Sequence, residues 1–341
     1  MSRTLFPKIM PYHDEFLSVG DNHHIYLEQS GNPEGIPVLY LHGGPGGGSS
    51  ENNRRYFDPD KYRIILFDQR GCGRSQPSPS LENNTTWHLI NDIELIRQHL
   101  MIDQWLIAGG SWGTTLAIAY GIEHADRVLG FILRGIFLGT QAEYDWLYQA
   151  QGAAKFYPEY YQNFIEQLSD NKRSDNKKSA IENPENKKSD NENPLECYYK
   201  QLTSDNEVAA LAASKAWCLW ELRLSTLEHL NIGLAQVDDT HQALCMAKIS
   251  SYYFKHHCFF SENYLLDNIT KIAHLPAIVL HGRFDMVCQL YIADLLVKHW
   301  ENARLQILPC AGHSGFESQT IDAFCKAADV MANFIDVKEN E

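Results

Sequence analysis

Residues 109–113 place a serine, Ser111, in the pattern G-x-S-x-G. An apolar run at 105–108 precedes this pattern, and a helix-like run at 114–120 follows it. On a tight turn from strand to helix, a serine hydroxyl projects above the end of the sheet, and flanking glycines remove Cβ atoms that would clash with neighbouring backbone. The pattern in this context predicts that Ser111 is a nucleophile.

A serine nucleophile needs a base that takes its proton and a carboxylate that orients the base. In hydrolases with this turn, the order along the chain is serine, acid, histidine, and the last two follow late strands. Asp285 comes soon after the apolar run 277–280, and His313 comes just after the last predicted strand. With fifteen histidines in the chain, residue type alone selects none of them. Position therefore identifies Asp285 and His313 as the predicted partners of Ser111.

Backbone N–H groups must stabilise the oxyanion that forms when the serine attacks a carbonyl. The residue after the nucleophile, Trp112, supplies one, and the loop after the strand at 38–41 supplies the other. This loop reads HGGPGGG at 42–48, and its glycines let the backbone approach a substrate closely. Gly44 is our candidate. The alternative, a phosphate-binding loop, lacks the Lys-Ser/Thr ending of a P-loop and the context of a dinucleotide-binding turn.

Six short apolar runs that each end in a turn predict buried parallel strands. They span 38–41, 63–67, 105–108, 129–133, 277–280 and 305–308. Helix-like stretches follow at 87–101 and 114–124. Strands that alternate with helices predict an α/β fold, with a mostly parallel central sheet flanked by helices.

The alternation stops at 139–272, where aromatic-rich and helical patterns dominate. We predict a helical cap there, inserted into a catalytic domain of residues 1–138 and 273–341. The cap would lie over the carboxyl ends of the strands, where open α/β sheets bind ligands. Within it, 169–194 is a low-complexity segment with few apolar residues. Such a segment cannot bury enough surface to fold, so we predict a disordered loop without a catalytic role.

Composition excludes several classes of protein. A net charge of −14 argues against a nucleic-acid partner, because phosphate binding needs a basic face. No apolar run is long enough to predict a membrane span, and the first residues lack the apolar core of a signal peptide. These two features predict a cytoplasmic protein. The eight cysteines form no C-x-x-C pair and are scattered through apolar or loop segments, so we predict reduced, mostly buried thiols. Residues 256–258 read His-His-Cys but lack zinc-site spacing, and we predict no metal.

Five motifs together resemble the prolyl aminopeptidases, also called proline iminopeptidases, of the α/β-hydrolase fold. They are HGGPGGG at 42–48, DQRGCGRS at 68–75, NTTWH at 84–88, GGSWG at 109–113 and RGIF at 134–137. The resemblance covers nearly the whole chain apart from 169–194. It implies a serine peptidase that acts on peptides with a free N-terminus, removes preferentially proline, and needs no metal or organic cofactor. DQRGCGRS itself has charged groups suited to holding a neighbouring loop through charge-assisted hydrogen bonds.

The resemblance also implies which residues bind the substrate. The sequence WCLWE at 217–221 matches a family pattern and makes Glu221 the candidate that binds the protonated N-terminus. Phe137, Tyr148 and Phe254 are the implied aromatic walls of an apolar pocket for the pyrrolidine ring.

One position departs from the family pattern. Where the family has a second amine-binding glutamate, this chain has Ser250. Losing one charge-assisted contact would cost roughly 1.5 to 3 kcal/mol, a ten- to hundredfold effect on binding. The departure predicts weaker amine binding, a relaxed preference for proline, or compensation by another acid.

Two alternatives stay open from sequence. The same triad would serve an esterase or amidase that acts on small molecules. A non-catalytic binding scaffold is the other, although such a scaffold has no physical need for Ser111, Asp285, His313 and the glycine loop together.

Overall fold

The computed structural model describes residues 2–176, 193–227 and 238–339, with side chains throughout except at 169–176 and 338–339. Eight strands form one sheet: β1 (His13–Ser18), β2 (His24–Gly31), β3 (Ile36–Leu41), β4 (Tyr62–Phe67), β5 (Trp105–Ser111), β6 (Val128–Ile136), β7 (Ala277–Gly282) and β8 (Ala303–Leu308). Their order is β1-β2-β4-β3-β5-β6-β7-β8. The strands from β3 to β8 pair in parallel, whereas β1 and β2 are antiparallel to their neighbours.

Each of the six predicted strands lies within one of β3 to β8, so the predicted mostly parallel sheet is confirmed. The strand β8 is less buried than predicted, because it forms the edge of the sheet. The sequence patterns missed β1 and β2. The buried strand β2 contains Glu28, Gln29 and Ser30, which interrupt its apolar run. Arg54 neutralises Glu28 with two hydrogen bonds of 2.5 and 2.8 Å, which makes this burial possible.

The described helices are α1 (Thr86–His99), α2 (Trp112–Glu123), α3 (Gln141–Tyr148), α4 (Pro158–Asn176), α5 (Pro194–Leu202), α6 (Glu207–Ser225), α7 (Thr240–Lys255), α8 (Tyr264–Asn268), α9 (Leu290–His299) and α10 (Ser318–Glu339). Alternate strand residues bury on opposite faces of the sheet, as Leu39 and Val38 of β3 do. The face with Leu39 packs on α1, α2 and α9, and the face with Val38 packs on α10. None of the described helices is long and apolar enough to cross a membrane.

The helices α3 to α8 separate β6 from β7 in the chain, and no strand occurs in the described parts of 139–272. Among them, α6 packs against α4, α5 and α7. This agrees with the predicted helical character of the segment, while its boundaries as a cap domain stay a prediction. The chain enters these helices from the carboxyl end of β6, which is the edge where open α/β sheets bind ligands.

The predicted disordered segment 169–194 begins and ends in helices. The backbone of 169–176 completes α4, because extending a helix that already packs through Phe164 and Leu168 costs little compared with starting one. At the other end, Asn193 accepts a hydrogen bond from the Leu195 N–H and caps α5. The structure thus describes helix at the two ends of the predicted segment, and its remainder, 177–192, lies outside the described residues.

Candidate active site

Ser111 ends β5 and immediately precedes α2, as the sequence predicted. Its φ of 58° and ψ of −127° hold the residue in a conformation that side chains rarely adopt. The turn also requires glycine at 113, where a Cβ atom would lie 2.1 Å from the carbonyl oxygen of Leu41. The close approach of α2 to β3 therefore explains one glycine of the pattern, and the strained turn explains how the serine comes to stand at the end of the sheet.

The structure brings Asp285 and His313 together at the ends of β7 and β8. His313 Nδ1 lies 2.8 Å from Asp285 Oδ2, and both residues are buried. The other carboxylate oxygen, Oδ1, accepts hydrogen bonds from the N–H groups of Val287 and Cys288, at 3.0 and 2.8 Å. Burial disfavours the charged carboxylate, but the charge and hydrogen bond of His313 hold the pKa of Asp285 below its ordinary value. An ionised Asp285 fixes the histidine with its proton on Nδ1.

A cavity of about 280 Å³ joins the predicted catalytic groups. The residues that line it include Ser111, Gly44, Phe137, Glu221, Phe254 and His313. The structure thus gathers six of the nine predicted site residues around one space. Of the other three, Asp285 is hydrogen-bonded to His313, and Trp112 directly follows Ser111 in the chain.

The predicted oxyanion donors lie on two elements that meet at Ser111. Trp112 is the first residue of α2, and N–H groups in the first turn of a helix lack partners within the helix and lie at its positive end. Gly44 lines the cavity from the glycine loop. Gln69 ties the two elements together, because its amide accepts a hydrogen bond from Trp112 Nε1 at 2.8 Å and donates one to the His42 carbonyl at 3.0 Å.

The DQRGCGRS segment supports the glycine loop from the core side. Asp68 accepts hydrogen bonds from the Ser49 N–H and hydroxyl, at 2.7 and 2.5 Å, and from Arg74 Nε at 2.7 Å. Burial opposes ionisation of this carboxyl, but Arg74 lowers the pKa of Asp68 overall. The charged groups of this motif therefore fix the loop, as expected from its residue types.

Glu221 is the one acidic residue among those that line the cavity in the described part of the chain. It lies on α6, and Tyr148 donates a hydrogen bond of 2.7 Å to its Oε1. Burial raises the pKa of Glu221 from 4.5 to about 7, although the Tyr148 hydrogen bond opposes the rise. Among the described residues, no basic side chain contributes to the shifted pKa of Glu221. It is therefore a half-buried acid without an ion-pair partner in this part of the chain, which a bound ammonium group would supply.

Phe137 and Phe254 form an aromatic wall, with ring centroids 5.5 Å apart at an angle of 67°. Tyr148, the third predicted wall residue, does not line the cavity. Its ring stacks on Trp217 with centroids 4.6 Å apart, and its hydroxyl is directed to Glu221. The side chain of Leu147 lines the cavity instead, because α3 presents neighbouring residues in different directions.

Ser250 does not line the cavity either. It is fully buried on α7, and its hydroxyl donates a hydrogen bond of 2.8 Å to the carbonyl oxygen of Pro45 in the glycine loop. No other acid takes the place of a second amine-binding glutamate among the cavity residues that the structure describes. Of the consequences expected from this departure, compensation by a nearby acid is therefore the one that the structure does not support.

Two supporting residues were not recognised from sequence. His281 accepts a hydrogen bond from the Ile136 N–H at Nδ1 (3.3 Å), so its Nε2 carries the proton and donates to the Cys288 carbonyl at 2.9 Å. Burial lowers the pKa of His281 and keeps it neutral, 3.6 Å from Asp285. Arg134 donates a hydrogen bond of 2.5 Å to the His313 carbonyl. The signal available in the sequence was their position: Arg134 begins the RGIF motif, and His281 directly follows the apolar run 277–280.

The described residues contain no group of side chains that could serve as a metal site. No cluster of three or more His, Cys, Asp or Glu side chains in residues 2–176, 193–227 and 238–339 could hold an ion.

Comparisons with known proteins agree with this geometry. A family model described as the alpha/beta hydrolase fold matches residues 36–320. The chain is 43% identical to a proline iminopeptidase of Xanthomonas citri over 331 residues, which cover 97% of this chain and 100% of the relative. It is 44% identical to a proline iminopeptidase of Arabidopsis thaliana over 316 residues, covering 92% and 78% of the two chains.

Solved structures show the same fold at lower identity. An esterase from Exiguobacterium antarcticum superposes with a TM-score of 0.62 at 18% identity, covering 93% of this chain and 98% of the other. A proline iminopeptidase-related protein from Thermus thermophilus gives 0.58 at 21% identity, covering 94% and 97%. Together with the relatives of more than 40% identity, these matches make the chain a hydrolase of the α/β-hydrolase fold that belongs to the proline iminopeptidase family.

Proposed function

We propose that the protein is a serine aminopeptidase that releases N-terminal proline, and also some other N-terminal residues, from peptides. The observation that carries this proposal is Glu221, a half-buried acid without an ion-pair partner among the described residues, in the cavity that Ser111 and His313 line. A general esterase has no need for such a group, because removing an unpaired carboxylate from water is unfavourable. A peptidase that must recognise a free, protonated N-terminus does need it.

In the proposed reaction, Ser111 attacks the carbonyl carbon of the N-terminal residue while His313 takes the serine proton on Nε2. Asp285 holds Nδ1–H, which leaves Nε2 free to accept that proton. The N–H groups of Gly44 and Trp112 stabilise the oxyanion. The histidine then gives its proton to the leaving amine as the peptide bond breaks. A water molecule, deprotonated by the same histidine, hydrolyses the acyl-enzyme and restores the serine.

Glu221 and the aromatic wall would orient the N-terminal residue. The carboxylate binds the protonated imino group, and the hydrogen bond from Tyr148 fixes its direction. Phe137 and Phe254 pack against a small apolar ring. Because the amine is bound at a set distance from Ser111, cleavage after the first residue follows from the geometry. A chain extended or blocked at its N-terminus would bring an uncharged group to the Glu221 carboxylate.

We expect Glu221→Gln to raise KM for a proline arylamide about ten- to hundredfold at pH 8, with a smaller effect on kcat. Glutamine keeps an oxygen for the Tyr148 hydroxyl but lacks the charge that binds the amine, so it is a matched variant. Steady-state kinetics test this expectation. An unchanged KM would contradict the role of Glu221.

The pH dependence of product inhibition provides a second test of the same residue. Since the pKa of Glu221 is raised to about 7, the free enzyme loses the carboxylate charge as the pH falls through 7. Inhibition by L-proline should therefore weaken progressively below pH 7 in the wild type. In Glu221→Gln, inhibition should be weak and nearly independent of pH over this range.

The alternative of an esterase or amidase for small molecules has one observation in its favour. Glu221 is the single acid on the described walls of the cavity, and Ser250 bonds to the glycine loop instead of facing the substrate. A single carboxylate would discriminate less strongly against substrates without an amine. The ratio of kcat/KM for free and N-blocked proline arylamides separates the two functions.

We also propose a cytoplasmic location and peptides as the physiological substrates. In support, no disulfide joins any two of the eight cysteines, all of which lie in the described part of the chain. The net charge of −14 is unfavourable for binding nucleic acids.

A further inference from the structure

The glycine loop that carries Gly44 is held by α7 as well as by the core. Ser250, on the buried face of α7, donates its hydrogen bond to the carbonyl oxygen of Pro45, the residue after Gly44. One end of the same helix adds a second contact, from Gln242 Nε2 to the Gly47 carbonyl at 3.3 Å. Two hydrogen bonds from one helix therefore reach the backbone of a single loop.

The backbone of α7 also packs directly on this loop. A Cβ atom at Gly46 would lie 2.8 Å from the Cys245 carbonyl oxygen and 3.0 Å from Ile249 Cβ. Gly46 leaves no gap between loop and helix, so the loop cannot move toward α7. From the core side, Asp68 holds the loop through Ser49. The loop is thus fixed between the sheet and α7.

The next residue of α7 shows that a buried serine does not by itself produce this contact. Ser251 is also fully buried, but its hydroxyl donates to the Lys248 carbonyl within its own helix, at 3.1 Å. Ser250 and Ser251 therefore share residue type, helix and burial. They differ in whether the hydroxyl is bonded to the glycine loop.

We infer that Ser250 is a positioning residue for the oxyanion hole, which holds the Pro45 carbonyl and thereby keeps the N–H of Gly44 directed at the developing oxyanion. This inference rests on the proposed function, since it takes Gly44 as an oxyanion donor. Ser250 acts through the loop and does not touch the substrate. Because an oxyanion donor stabilises the transition state more than the bound substrate, the loss of Ser250 should lower kcat and leave KM nearly unchanged.

The test compares Ser250→Ala with Ser251→Ala. Alanine is smaller than serine and favours helix, so both variants should keep α7 intact. For a proline arylamide, we expect Ser250→Ala to lower kcat about tenfold, equivalent to about 1.4 kcal/mol, with KM changed less than about twofold. Ser251→Ala should keep both constants within about twofold of the wild type.

A transition-state analogue makes the test specific for the oxyanion hole. The boronic acid analogue of proline forms a bond between boron and Ser111 Oγ and places a boron-bound oxygen where the oxyanion forms. Its inhibition constant should rise about tenfold in Ser250→Ala, while that of L-proline, which reports the amine and ring sites, should not change.

Three results would overturn the inference. These are a normal kcat in Ser250→Ala, equal losses in the two serine variants, or weakened L-proline binding that matches the loss of activity. Failure of the proposed function is distinguishable, because it would appear in the wild-type enzyme as an inability to discriminate free from blocked N-termini.

Discussion

Ser111→Ala should lower kcat for a proline arylamide by roughly 10⁴- to 10⁶-fold. Without the hydroxyl, His313 has no nucleophile to deprotonate, and only the oxyanion donors and substrate binding contribute to the residual rate. Alanine keeps the Cβ atom of serine at the same φ of 58°, so the turn is no more strained than in the wild type. We therefore expect normal folding together with the loss of turnover.

Three measurements check this prediction: the turnover, the Tm and the binding of L-proline. The Tm and L-proline binding should match the wild type, because Glu221, Phe137 and Phe254 remain in place. A fluorophosphonate should label the wild-type protein at Ser111 and fail to label the variant. Activity within about tenfold of the wild type would contradict the assignment of Ser111 as the nucleophile.

Asp285→Asn should lower kcat by roughly 10⁴-fold. The N–H groups of Val287 and Cys288 both donate to Oδ1, so the oxygen of an asparagine amide must take that position. Its NH₂ group then faces His313 Nδ1, in the place of Oδ2. With a donor there, Nδ1 must act as an acceptor, so the proton of the neutral ring sits on Nε2. A protonated Nε2 cannot accept the proton of Ser111.

The pH dependence of fluorophosphonate labelling at fixed reagent concentration measures this effect separately from substrate binding. Asp285→Asn should label far more slowly than the wild type at every pH from 6 to 8, because the base is held in the wrong tautomer. The L-proline inhibition constant should remain unchanged, since Asp285 does not line the cavity. Labelling at the wild-type rate would show that Asp285 does not orient the base.

The parallel strands and the order of the catalytic residues were predictable from sequence because each depends on short local patterns. A buried parallel strand needs a continuous apolar run, and all six such runs form strands. The strained turn at Ser111 needs glycine at 113, so the turn can be recognised from the sequence. Asp285 and His313 each follow a strand end, so their positions along the chain were enough to bring them together.

The remaining features depend on partners that are distant in the chain. From its sequence, β2 looks too polar for a buried strand. Its burial depends on Arg54, which bonds to Glu28 and follows it by 26 residues in the chain. The direction of Tyr148 is set by how α3 packs on α6, which no local pattern describes. Ser250 reads as a lost amine ligand in sequence, but its hydroxyl bonds to Pro45, 205 residues away. Such contacts are tertiary, and residue type alone does not identify them.

The most direct test of the proposed function compares three arylamides of equal leaving group with the wild-type enzyme: proline, alanine and N-blocked proline. A site that binds a charged amine through a half-buried carboxylate should strongly reject a substrate that leaves the carboxylate unpaired. We expect kcat/KM to be highest for proline, lower for alanine, and at least about a hundredfold lower for N-blocked proline than for proline. Equal kcat/KM values for the free and blocked proline substrates would contradict the proposal that Glu221 makes this hydrolase an aminopeptidase.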